Sequence, residues 1–140
     1  MAKEKSPGVI ISLFKRKGAE GEFTRIITEQ NAADYVQQLS GLDAYEKGLI
    51  IYRKNDRDWV LLTNKRIMAV KDDDHFAIAH GDLIKVDLAR KEELEHLGAS
   101  KLFTRLALTN RDGTRYVVQL EPGRAFNGFS QVLYFIESAS

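Results

Sequence analysis

Residues 58–70, DWVLLTNKRIMAV, set two apolar runs on either side of Thr63-Asn64-Lys65-Arg66. Trp59 to Leu62 and Ile67 to Val70 suit a pleated, half-buried surface, and Asn64 tolerates the positive backbone dihedral of a tight turn. The segment reads as a β-hairpin, which commits its neighbours to an antiparallel sheet.

The same pattern recurs downstream. Residues 49–53, 59–63, 66–71, 76–79, 83–88, 102–108 and 115–120 are short β-rich runs, and Asn55-Asp56, Asn64-Lys65, Asp72-Asp73-Asp74, Gly81 and Asp112-Gly113 fall between them as turn signals. Within residues 83–88, Ile84, Val86 and Leu88 alternate with Lys85 and Asp87, so one face of the sheet is expected to be wet. After Pro122-Gly123 the period changes. Phe126, Phe129, Val132, Leu133 and Ile136 recur at helical spacing and form the apolar stripe of an amphipathic helix.

Residues 1–41 read as an N-terminal extension and 42–140 as the main domain. Ser6-Pro7 suits the start of a helix through Phe14, since proline is well placed at the first helical position; an apolar strand over residues 9–13 fits the same residues. Gly18 to Glu22 is a connector, and residues 23–27 are extended. Asn31 with Asp34 resembles a helix N-cap, followed by Ala32, Tyr35, Val36 and Leu39 at helical spacing and Gly41 at the stop.

Strands followed by one C-terminal amphipathic helix resemble the order of a bacterial pleckstrin-homology-like (PH-like, GRAM-type) domain. The likeness is carried by Tyr45-Glu46-Lys47-Gly48-Leu49-Ile50-Ile51-Tyr52, then Leu61-Leu62-Thr63-Asn64-Lys65-Arg66-Ile67, and by the later hairpin of Leu106-Ala107-Leu108, Asp112-Gly113 and Tyr116-Val117-Val118. It implies a mainly β (α+β) fold: a barrel of about seven antiparallel strands in two near-orthogonal sheets, capped by the C-terminal helix. The chain departs from that pattern where Tyr45-Glu46-Lys47-Gly48 replaces the usual Gly-Glu, and in the length of its N-terminal extension. The connection over residues 90–101, with Leu94, Glu95, His96, Leu97 and Gly98, is long enough for a helical turn and for a binding role.

Composition narrows the function. The chain has no cysteine, which excludes disulfides, thiolate zinc sites and cysteine nucleophiles. A net charge of +1 removes the global electrostatic case for nucleic acid. The basic start and short apolar run of the N-terminus lead into Lys15-Arg16-Lys17 without a small-residue cleavage site, and no apolar run approaches the roughly 20 residues that span a bilayer. A cytoplasmic protein is the expectation.

Candidate sites are local. Arg53, Lys54 and Arg57 flank the turn between the first two main strands, matching the loop that holds inositol phosphates in eukaryotic pleckstrin-homology domains; Asp56 and Asp58 interleave with them and oppose an anion. Val9, Ile10, Leu13 and Phe14, with Lys5, Lys15, Arg16 and Lys17 nearby, offer either a membrane-surface face or a packing face against the barrel or a second subunit. His75 and His80 with Asp72, Asp73, Asp74 and Asp82 invite a metal check, but they sit at two ends of a strand, up to roughly 17 Å apart. No metal or other cofactor is expected. The sequence lacks GxSxG, phosphate-loop, HExxH and dinucleotide fingerprints, so the expected role is a non-enzymatic binding or scaffold module with a protein partner or self-association into a homo-oligomer. The alternative is peripheral binding of an anionic lipid surface or a phosphorylated ligand.

Overall fold

The computed structural model describes residues 6–92 and 104–137. Helix α1 (Pro7–Lys17) begins with its proline in the first turn and ends on three basic residues that complement the helix dipole. A short strand β1 (Thr24–Ile26), a 3-10 turn (Ala32–Tyr35) and the single turn α2 (Val36–Leu39) follow. A meander then runs through β2 (Gly48–Asn55), β3 (Asp58–Thr63), β4 (Arg66–Lys71) and β5 (Asp74–Ala79). A second 3-10 turn (His80–Asp82) leads into β6 (Leu83–Leu88), β7 (Arg105–Asn110) and β8 (Arg115–Gln119), and α3 (Arg124–Ile136) closes the described chain.

The strands form two antiparallel sheets, a five-stranded one in the order β1-β2-β3-β4-β5 and a three-stranded one in the order β6-β7-β8. The expected closed β-barrel is therefore wrong: both sheets are open. Two features explain it. The 3-10 turn at His80–Asp82 breaks the ladder between β5 and β6. In addition, β8 runs across the ends of the first sheet's strands instead of alongside one of them. Tyr116 stacks on Phe76 of β5 at 4.3 Å, Gln119 accepts from Lys71 of β4 at 2.7 Å, and Glu121, just past β8, reaches β1. Strands that cross in this way meet through side chains and form no ladder.

Expected strand positions agree with the observed ones to within a few residues, except that residues 102–103 lie outside the described residues, as does the expected turn at 94–98. The extended segment 23–27 supplies β1, with Thr24 opposite Tyr52 and Ile26 opposite Ile50. The helix expected from Asn31 is only the 3-10 turn and α2. Asn31 does not cap it, because its side-chain oxygen accepts from the Thr28 N–H at 2.8 Å and its amide donates to the Ile26 carbonyl. One residue of its expected inward stripe is turned out as well: Val36 is 62% exposed, while Ala32, Tyr35 and Leu39 are half-buried and Gln38 is buried and donates to Asp56.

The core lies between the sheets and under the two long helices. All the stripe residues of α3, Phe126, Phe129, Val132, Leu133 and Ile136, are buried. Helix α1 packs on α3 by inserting Ile10 and Phe14, both at 0% exposure. Close approach is possible because glycines meet: a Cβ on Gly18 would lie 2.5 Å from Gly128 Cα and would strike the Arg124 carbonyl. Gly18→Ala is expected to lower stability by about 1–3 kcal/mol, as overpacking against rigid backbone does. Urea denaturation reads this directly, and an unchanged midpoint would mean that the helices do not cross so closely.

Candidate functional site

The basic residues of the β2–β3 hairpin do not converge. Arg53 donates to the Asp34 carbonyl, lies 3.5 Å from Asp56, and sits over the Tyr35 ring at 5.6 Å. Arg57 pairs with Asp73 at 3.6 Å. Lys54 is exposed. Two of the three cations are thus occupied by carboxylates or carbonyls of the chain itself, which lowers the potential available to an incoming anion.

The N-terminal candidates divide in the same way. Ile10 and Phe14 belong to the core, Leu13 is half-buried against it, and Val9 is 47% exposed. Among the described residues, no group of three or more His, Asp or Glu side chains is placed to hold a metal, and no helix is long and apolar enough to cross a membrane.

Glu46, Thr63 and Arg66 form a polar knot around one buried carboxylate. Glu46, with its side chain fully buried, accepts from Arg66 Nε at 2.9 Å and Nη2 at 3.0 Å, from Thr63 Oγ1 at 2.6 Å and from the Asp43 N–H. Burial alone would raise its carboxyl, but the hydrogen bonds from Arg66, Thr63 and Asp43 outweigh it and hold the group below its ordinary value. Asn64 serves this knot and not a left-handed turn: its backbone φ is not positive, its side-chain oxygen accepts from the Lys47 N–H, and its amide donates to the Tyr45 carbonyl. Thr63 Oγ1 also accepts from the Lys65 and Arg66 N–H groups, and the His80 ring bonds the Thr63 carbonyl. These bonds fasten the 41–47 segment to the β3–β4 turn.

The open seam between the sheets makes a different kind of site. A cleft of about 380 Å³ lies where β8 crosses the ends of β3, β4 and β5. Val60, Ala69 and Val118 give it an apolar floor, and the stacked rings of Phe76 and Tyr116 wall it. Its charges are internally balanced. Lys71 is 3.8 Å from Asp58 and bonded to Gln119, and Arg115 grips Glu92 through both Nη atoms at 2.8 and 3.1 Å. Those bonds hold the Glu92 carboxyl down to about 2. Sequence reasoning missed this cleft; its one local trace is Val117, an apolar residue on the outward side of the β8 alternation and 37% exposed.

Comparison with known proteins adds nothing to this geometry: no family model matches the sequence, no curated protein matches it, and no solved structure matches it.

Proposed function

We propose that this chain is a non-catalytic, cytoplasmic binding module of PH-like type that takes a protein partner at the cleft between its two sheets. One observation carries the reading: the seam where β8 crosses the first sheet leaves a cleft of about 380 Å³ with an apolar floor and a polar rim, the usual make-up of a recognition site. The resemblance of Glu46 and Thr63-Asn64-Lys65-Arg66 to PH-like domains supports the class. Lipid or phosphate binding at the basic hairpin has less support, because Arg53 and Arg57 already face Asp56 and Asp73.

The test is a photo-crosslinking amino acid placed at Val117 in cells, with the same group at Lys54 as control. A discrete heavier adduct from position 117 and none from position 54 is the expected result; an adduct at twice the chain mass would identify the partner as a second copy. Adducts from position 54 alone, or from neither, would overturn the reading.

A further inference from the structure

We infer that the occupant of the cleft is an extended peptide segment of the partner, which adds a strand to the free edge of β8. This rests on the binding-module reading above and goes further by naming the chemistry of recognition.

The argument begins with hydrogen-bond parity. At one end of the β7–β8 ladder the Asn110 N–H donates to the Thr114 carbonyl, and at the other the Leu120 N–H donates to the Thr104 carbonyl. The register between them pairs Leu108 with Tyr116 and Leu106 with Val118. In an antiparallel pair, bonded positions alternate, so Tyr116 and Val118 spend their main-chain groups on β7, as do the Thr114 carbonyl and the Leu120 N–H, while the Thr114 N–H donates to Asp112. Arg115, Val117 and Gln119 then point theirs away from the sheet. All three line the cleft, and among the described residues β8 is a terminal strand of its sheet.

A row of outward N–H and C=O groups along a groove is the template that strand addition uses, with the main chain supplying affinity and alternate side chains supplying specificity. The side chains of Tyr116 and Val118 share the inward face of β8: Val118 is buried in the core cluster that also holds Val60 and Ala69, and Tyr116 stacks on Phe76. A peptide strand laid along β8 would place every second side chain over that floor and the others toward water. The favoured sequence is therefore alternating apolar and polar, about as long as β8. A small anionic ligand fits poorly: Asp58 and Asp74 line the cleft, and its Lys71 and Arg115 are held by Asp58 and Glu92.

The test uses a displayed library of random linear peptides of about eight residues, panned on the full chain, with the best binder synthesised and measured by fluorescence anisotropy. Val117→Pro removes one outward N–H without touching the β7 ladder, a place where an edge strand accepts proline. The expected result is an affinity loss of about ten- to hundredfold in Val117→Pro, as for a lost hydrogen bond with a stranded partner. Hydrogen exchange should slow at Arg115, Val117 and Gln119 when peptide is added to the wild-type chain. N-methylation of alternate peptide residues should abolish binding in one phase of the alternation and spare it in the other. The last two readouts need no protein variant, so they decide the matter even if Val117→Pro fails to fold. A binder that shifts the NMR signals of Val60 and Ala69 yet ignores both Val117→Pro and N-methylation would overturn strand pairing while leaving the cleft as the binding face. No enriched peptide, or binders that map elsewhere, would sink both.

Discussion

Replacing Glu46 with alanine is expected to cost about 3–5 kcal/mol of folding stability, the range for breaking a buried ion pair from one side. The Glu46 side chain is fully buried, whereas 30% of the Arg66 side chain still meets water, which places the expectation toward the lower end. Thr63 Oγ1 and the Asp43 N–H lose their acceptor in the same step. Glu46→Gln separates charge from shape: it keeps an oxygen for Thr63 or Asp43 but turns an amide N–H toward Arg66. Urea titration of both variants, completed as a double-mutant cycle with Arg66→Ala, measures the coupling. A coupling energy near zero would mean that the pair contributes packing only.

The same pair predicts a pH dependence. In the unfolded chain the Glu46 carboxyl titrates near its ordinary value of 4.5, and in the fold it titrates lower, because the hydrogen bonds from Arg66, Thr63 and Asp43 override the opposing effect of burial. A group whose folded value is depressed contributes stability that is complete above the unfolded value and is lost as pH falls through the folded one. The stability difference between wild type and Glu46→Gln should therefore be full at neutral pH and shrink below 4.5. Glu92, held to about 2 by Arg115, also weakens the fold in acid, but it does so in both proteins and cancels in the difference. A difference that stays constant into acid would show that the ionised carboxylate is not what Arg66 recognises.

Phe14→Ala is expected to have an effect of similar size, about 3–5 kcal/mol, the cost of emptying a fully buried aromatic site. Phe14 is at 0% exposure, and its ring lies so close to α3 that a Cβ on Gly128 would sit 3.0 Å from it. The backbone on that side cannot collapse into the void, because the glycine crossing already has α1 and α3 in contact. Calorimetry of the variant should show a single transition at lower temperature. A loss below about 1 kcal/mol, or a separate early transition, would mean that α1 is a detachable arm.

What could be read from the sequence was what nearest neighbours decide. The stripe of α3 is visible because Phe126, Phe129, Leu133 and Ile136 repeat with the helical period, and the β2–β5 meander is visible because its turns are short and polar. Partnerships between distant residues were not visible. Thr24–Ile26 is too short to be recognised as a strand, and only its pairing with Tyr52, Ile51 and Ile50 makes it one. The openness of the sheets depends on where β8 crosses, which no local pattern encodes. The Arg53, Lys54 and Arg57 cluster looked cationic in sequence; Asp34, which lies 19 positions from Arg53, supplies the carbonyl that engages it. Thr63-Asn64-Lys65-Arg66 was legible as the turn of a hairpin, while its duty toward Glu46 was not.

Glu121 accepts from the N–H groups of Glu22 and Phe23 at 2.7 and 3.0 Å and from Thr24 Oγ1 at 2.8 Å. The first of these bonds joins residues 99 positions apart. Closing so long a loop costs entropy that local hairpins do not face. During folding the β2–β5 meander, whose partners are neighbours in sequence, can condense early, whereas the carboxylate clamp can form only after the C-terminal third of the chain has been placed. Glu121 is thus a latch set at the end of the folding reaction, and its three bonds register that both ends of the chain have arrived.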